Sequence, residues 1–141
     1  MKQIIMKKIF GIKQIISLKE LLKLQFIYCL LGLLFNTISW ILIENSYQSL
    51  TPTIPVQGVI AMAIYGVFLL TGYFAKIRPY RFLMLFAMII FGYGGIIRHF
   101  FIMYQSPELY SSFFSGLTGV AINLFGLVLN ILAAFGKFNV E

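Results

Sequence analysis

The sequence predicts an all-α integral membrane protein, a four-transmembrane-helix bundle preceded by a basic amphipathic N-terminal interfacial helix. Hydrophobic residues make up 60% of its 141 residues and charged residues only 11%, and its mean hydropathy is +0.93. Such a chain offers too little polar surface for water to be its main solvent. Four apolar stretches approach or exceed the roughly 20 helical residues that cross the hydrocarbon core of a bilayer.

The first predicted element is an interfacial helix in residues 1–17. Four isoleucines recur on one helical face, with lysines between them: Ile5, Ile9, Ile12 and Ile16. A basic amphipathic helix of this kind binds anionic lipids at the membrane surface. The tetrad that begins at Ser17 and ends at Glu20 matches a capping box, which predicts that a new helix begins at Leu18. The alternative is a single bent helix without lipid recognition.

The four predicted spans cover about residues 18–43, 56–75, 82–104 and 113–136, within a single membrane domain that comprises residues 1–141. Prolines mark the breaks between the spans: Pro52, Pro55, Pro79 and Pro107. All three connections are too short to hold a further domain. Consecutive spans are therefore expected to be antiparallel neighbours.

The distribution of cations predicts the orientation of the spans. Six lysines precede the apolar run of the first span, which begins at Leu24, three cations lie between residues 76 and 81, and Lys137 follows the last span, whereas the other two connections contain no Lys or Arg. The positive-inside rule then places both termini in the cytoplasm. Richness in Lys, Ile, Phe and Asn is typical of AT-rich bacterial genomes, so we predict the bacterial cytoplasmic (inner) membrane. A net charge of +7 placed beside apolar runs favours a membrane surface as partner, and no nucleic acid.

Small and polar residues on one face of the last span predict a surface for helix contacts. We call this set, together with two residues of the first span, the packing seam: Gly119, Asn123, Gly126, Asn130, Gly32 and Asn36. Glycines allow helix backbones to approach, and asparagine amides hydrogen-bond across helices. The alternative is a polar substrate path lined by the asparagines.

A second candidate site is a polar cluster at the outer boundary of the membrane, made of Arg98, His99, Glu44 and Glu108. Antiparallel packing brings the ends of the first and third spans to a similar depth. Pairing with Glu44 would relieve the cost of placing the guanidinium of Arg98 there. Such a cluster is suited to an anionic headgroup or ligand. The alternative is that Arg98 contacts lipid phosphate and that His99 has no role.

Several observations argue against an enzyme. The chain contains no Asp, one His and one Cys, and we find no nucleophile elbow, P-loop or H-E-x-x-H motif. We therefore expect no catalytic residue, no cofactor and no metal site. Several tyrosines fall where membrane interfaces are expected: Tyr47, Tyr73, Tyr80, Tyr104 and Tyr110.

The sequence thus predicts a noncatalytic polytopic inner-membrane protein that acts by helix packing. It would be an accessory subunit of a membrane complex or a self-associating bundle, with the lipid bilayer, other membrane subunits or a second copy as partners. One alternative is a small transport or permeation component, whose polar path is formed by Asn36, Gln57, Asn123 and Asn130. That path would form once subunits assemble. Another alternative is an immunity-type protective membrane protein, which the chain resembles in size and charge alone.

Overall fold

The computed structural model describes residues 16–137, and this part of the chain is built from helices without strands. Its α-helices are α1 (Leu18–Glu44), α2 (Pro55–Tyr73), α3 (Ile77–Gly92), α4 (Arg98–Gln105) and α5 (Phe113–Phe135). A π-helical segment, Tyr93–Ile97, joins α3 to α4, and a 3-10 turn, Pro107–Leu109, precedes α5. Except for Ile16 and Ser17, the predicted interfacial helix lies outside the described residues.

Four helical stretches in this range are long and apolar enough to cross a membrane: Leu18–Glu44, Pro55–Tyr73, Ile77–Gln105 and Phe113–Phe135. The third of them comprises α3, the π-helical segment and α4. The predicted number of four apolar helices of membrane-spanning length is therefore confirmed for the described residues.

Helix α1 begins where its capping box predicts. The hydroxyl of Ser17 accepts a hydrogen bond from the backbone N–H of Glu20 at 3.2 Å, and the Glu20 carboxylate accepts one from the N–H of Ser17 at 3.2 Å. These reciprocal bonds satisfy N–H groups that have no acceptor within the helix. The predicted start at Leu18 is confirmed.

Helix α3 begins at Ile77, earlier than the predicted boundary at residue 82. The sequence prediction treated Pro79 as a break. In the structure Pro79 lies in the first turn of α3, where backbone N–H groups lack an acceptor within the helix, so a proline is accommodated. The connection between α2 and α3 is correspondingly tight, and Ala75 adopts a left-handed backbone conformation with φ of 55°.

The four apolar helical stretches, which we call spans from here on by their length and composition, form a closed ring. Helix α1 packs most extensively on α2, and α3 packs on α5; contacts of α1 with α5 and of α2 with α3 complete the ring. The side chains that fill its centre include Leu21, Tyr28, Tyr65, Met84 and Leu129. Many large apolar side chains on the outer faces are exposed, among them Phe26, Leu34, Val67 and Phe82. Exposed apolar surface of this extent is typical of a helix bundle that is covered by lipid or by partner helices.

Hydrogen bonds tie the two longer connections to each other and to the bundle. The hydroxyl of Ser39 accepts from the N–H of Leu50 at 3.0 Å, and the hydroxyl of Ser115 donates to the carbonyl of Leu50 at 2.7 Å. The amide of Gln48 donates to the carbonyl of Glu108 at 2.6 Å. This end of the bundle is therefore held by the connections as well as by helix packing.

Candidate functional site: a polar network in the bundle core

Polar side chains from all four spans meet in the centre of the bundle. Gln25 belongs to α1, Tyr65 to α2, Tyr80 to α3 and Asn130 to α5, and each of these residues is at most 1% exposed. We call these four residues the core network. Buried polar groups are costly in an apolar surrounding unless they find hydrogen-bond partners.

Direct hydrogen bonds connect the four side chains. The amide nitrogen of Gln25 donates to Asn130 Oδ1 at 3.1 Å, and the hydroxyl of Tyr65 donates to the same oxygen at 2.8 Å. The hydroxyl of Tyr80 donates to Gln25 Oε1. Gln25 also contacts the sulfur of Met84 at 3.0 Å. The core network thus joins every span to at least one other.

The network fixes the orientation of both amides. Asn130 Oδ1 accepts two bonds, which uses both of its lone pairs. Gln25 presents its oxygen to Tyr80 and its nitrogen to Asn130. The amide nitrogen of Asn130, Nδ2, is buried and has no hydrogen-bond partner in the structure. A buried amide N–H of this kind is the least favourable element of the network.

An aromatic cluster packs directly beside the core network. Tyr28, Tyr65 and Phe91 meet edge to face, with ring centroids 5.2 to 6.1 Å apart. The hydroxyl of Tyr28 donates a long hydrogen bond of 3.4 Å to Asn123 Oδ1. Edge-to-face arrangements are the favoured geometry of aromatic pairs. Each ring is therefore held by two others and has little room to move.

The chemistry of the core network is that of helix association. It consists of amides and phenols, which donate and accept hydrogen bonds but are weak acids and bases. The described part of the chain contains no group of three or more His, Cys, Asp or Glu side chains that would hold a metal ion. Interhelical hydrogen bonds in membrane proteins are worth about 0.6 to 2 kcal/mol each. The geometry supports holding four helices in one arrangement.

The packing-seam residues of α5 lie against other helices. A Cβ atom added to Gly126 would overlap the ring of Tyr28, and one added to Gly119 would lie 3.4 Å from atoms of Phe35 and Thr51. Asn123 donates to the carbonyl of Gly119 at 2.9 Å.

The packing-seam residues of α1 lie against α2. A Cβ atom on Gly32 would come within 2.6 Å of the sulfur of Met62, and the amide of Asn36 lies directly on Gly58. Asn36 donates to the carbonyl of Gly32 at 2.8 Å. Asn123 of α5 likewise lies directly on Gly95 of the π-helical segment. In both α1 and α5, an asparagine therefore donates to the backbone carbonyl four residues earlier in its own helix and packs on a glycine of another span.

Two residues of the predicted outer cluster, His99 and Glu44, have side-chain hydrogen-bond partners outside the cluster. His99 is buried and its Nδ1 lies 2.8 Å from the hydroxyl of Tyr110, which donates to the carbonyl of His99 at 3.2 Å. Glu44 is exposed and accepts a hydrogen bond from the indole of Trp40 at 3.1 Å. Arg98 and Glu108 are also exposed. An ion pair between Arg98 and Glu44 stays a prediction.

Tyr110 is the hydrogen-bond partner of the His99 side chain. The sequence prediction placed this tyrosine where a membrane interface is expected. It is 5% exposed and Tyr80 is fully buried, so both side chains face the bundle interior, whereas their depth in a membrane stays a prediction. Burial raises the pKa of the Tyr110 hydroxyl, and the nearby charge of Arg98 partly offsets this effect. The hydroxyl is therefore neutral at physiological pH and available as a donor.

Arg81 has a structural role that sequence reasoning missed. Its guanidinium donates to the carbonyl of Ala134 at 3.1 Å and to that of Gly136 at 2.8 Å. Carbonyls at a helix C-terminus lack donors within the helix, and a cation there interacts favourably with the helix dipole. Arg81 therefore ties the start of α3 to the end of α5, in addition to its contribution to the orientation signal.

Comparisons of this chain with protein-family models, with curated proteins and with solved structures find no match. Over residues 16–137, the fold defines an all-helical class with four helices of membrane-spanning length and composition. The contacts between the residues of this chain are therefore the basis for a more specific function.

Proposed function

We propose that the protein is a noncatalytic, polytopic protein of the bacterial inner membrane that acts through helix contacts, as an accessory subunit of a membrane complex or as a self-associating bundle. One observation carries this proposal. The amide and phenol side chains at the centre of the bundle are hydrogen-bonded to one another, while many large apolar side chains cover the outer faces of the helices. Such a unit offers its surroundings a helix surface instead of a reactive group.

The same contacts disfavour permeation through a single chain. Of the four residues that would line a polar path, Asn130 belongs to the core network, and Asn36 and Asn123 bond backbone carbonyls and pack on glycines. Gln57 is exposed near the start of α2. A path that requires these amides to face a common channel would require the helices to rotate and the core network to break.

The π-helical segment offers a surface for a partner helix. A Cβ atom on Gly94 would have no heavy atom within 4 Å, whereas one on the adjacent Gly95 would overlap the amide of Asn123. The segment thus presents one glycine outward and the next inward. An outward glycine allows the close backbone approach that stabilises helix association in membranes, and π-helical turns are frequent at functional sites.

These two glycines provide a matched test of the proposal. We expect Gly94→Leu to lower the recovery of a partner or of dimer about tenfold, the equivalent of the 1–2 kcal/mol typical of membrane helix contacts. Its unfolding temperature should match that of the parent protein. Gly95→Leu should lower the unfolding temperature, because the new side chain meets Asn123 inside the bundle. Assembly would be measured by co-purification and light scattering after extraction in mild detergent.

Two results of this experiment would count against the proposal. A parent protein that is strictly monomeric and without partner in mild detergent would contradict action through helix contacts. Full assembly of the Gly94→Leu variant would reject the π-helical segment as the contact surface.

The proposed orientation, with both termini in the cytoplasm, makes a prediction of its own. Alkaline phosphatase fused after Ser49 should be active, and a fluorescent protein fused after Arg78 should fluoresce, because only the second connection carries cations. Both readouts come from intact cells. Active phosphatase at Arg78 together with fluorescence at Ser49 would reverse the topology.

A further inference from the structure

A groove lies between the N-terminal half of α1 and the C-terminal half of α2. Its volume is about 610 Å³, within the range of roughly 300–1,000 Å³ that is typical of ligand pockets. Its apolar wall includes Leu22, Phe26, Leu70 and the backbone of Gly66. Residues of both helices line the groove, so it lies between them.

One end of the groove is positively charged. Lys19 and Lys23 both line it and are separated by one helical turn, so they lie on the same face of α1. Both side chains are exposed. No acidic residue is among the described residues that line the groove, and nearby Glu20 is engaged by Ser17 in the capping box.

A cationic end and an apolar body complement a ligand with an anionic head and a hydrocarbon tail. The cationic end also lies where an anionic lipid would be expected. Lys19 and Lys23 are at the end of the bundle that carries the connection with Lys76 and Arg78, for which we propose the cytoplasmic side. Anionic lipids are concentrated in the cytoplasmic leaflet and attract Lys and Arg residues close to the surface.

We propose that this groove binds an acyl chain of one anionic phospholipid, whose headgroup is held by Lys19 and Lys23. The inference rests on the membrane location proposed above but is independent of assembly with other helices. It also differs from the predicted adsorption of residues 1–17 on the membrane surface, because it places a single lipid between two spans. The bound lipid would fill the space between α1 and α2 at this end and so fix the separation of the two helices.

The charged part of the proposal can be tested by native mass spectrometry of the full chain in mild detergent. Phosphatidylglycerol and phosphatidylcholine with identical acyl chains would be added in parallel. We expect preferential retention of one phosphatidylglycerol, and a loss of about fivefold in its retention for each lysine replaced in Lys19→Gln and Lys23→Gln, since a basic residue near an anionic surface contributes about 1 kcal/mol. The double variant Lys76→Gln, Arg78→Gln removes two cations from the same end, outside the groove, and should retain the lipid within about twofold.

The apolar part needs a steric test. Leu70→Trp should occupy the groove and lower lipid retention about tenfold, an effect comparable to the loss of a good apolar contact. Val67→Trp is its control, because Val67 is exposed on the same helix and does not line the groove. Unfolding temperatures in lipid-free detergent would identify any variant that has lost its fold.

Three results would overturn the proposal. They are equal retention of the two lipids, unchanged retention in the variant with both Lys19→Gln and Lys23→Gln, and unchanged retention in Leu70→Trp. A further full-length variant, Ile9→Asp with Ile12→Asp, should retain phosphatidylglycerol unchanged. A rise would identify the N-terminal segment as the occupant of the groove, and a fall would locate the lipid on that segment; either would contradict the proposal. Loss of lipid binding with intact assembly would leave the proposed function standing.

Discussion

Replacing Gly126 with alanine is expected to destabilise the bundle by about 3 kcal/mol, the upper part of the range for overpacking a core. The added Cβ would overlap the ring of Tyr28. That ring is fully buried and is held edge to face by Tyr65 and Phe91, so it cannot yield without moving its neighbours. Denaturant or thermal unfolding in nanodiscs would measure the loss.

Gly119 is the matched control on the same helix. A Cβ there would lie 3.4 Å from Phe35 and Thr51, at the limit of ordinary van der Waals contact. Alanine also has a higher helix propensity than glycine, by about 1 kcal/mol. Gly119→Ala should therefore change stability by less than about 1 kcal/mol. Equal losses in the two variants would show that close contact with Tyr28 is not what distinguishes Gly126.

Local signals in the sequence predicted the helices well, because each signal acts over a few residues. Hydrocarbon thickness sets the length of an apolar run, and the Ser17–Glu20 pair sets the start of α1 whatever else the chain does. Pro79 misled the prediction for α3 for an equally local reason. A proline is compatible both with a break between helices and with the first turn of a helix. The sequence around Pro79 does not distinguish these two positions.

The core network shows what the sequence left undetermined. Asn130 was predicted as a packing residue, but its partners Gln25 and Tyr65 are 105 and 65 residues away. Which side chains meet depends on the rotation of each helix about its axis. Because these helices are apolar on most of their faces, the sequence does not determine that rotation. A signal was nevertheless present. Gln25 is one of two amides in the long apolar run of α1, the other being Asn36, and a polar residue in such a run is expected to find a partner within the bundle.

Tyr80 illustrates the same point for aromatic residues. Its position next to a cationic connection is typical of the interfacial tyrosine belt, yet its side chain is fully buried. The earlier start of α3 explains the difference, because it places Tyr80 within the helix and beside Gln25. Because the predicted boundary at residue 82 left Tyr80 outside the third span, its contact with Gln25 was not predicted.

The last prediction concerns the energetic weight of the core network. Asn130→Ala should cost about 3 kcal/mol, since it removes two interhelical hydrogen bonds and leaves the buried hydroxyl of Tyr65 without its acceptor. Tyr65→Phe should cost only about 1 kcal/mol, because Asn130 Oδ1 still accepts from Gln25.

The double variant separates hydrogen bonding from packing. If the hydroxyl of Tyr65 is stabilising only through Asn130, then Tyr65→Phe introduced into the Asn130→Ala background should be neutral or stabilising, because it removes a buried donor that no longer has its acceptor. The free energies of unfolding of the four proteins form a double-mutant cycle. A coupling energy near zero would mean that the hydrogen bond between Tyr65 and Asn130 does not stabilise the bundle, and that Asn130 contributes through its bond with Gln25 or through its volume.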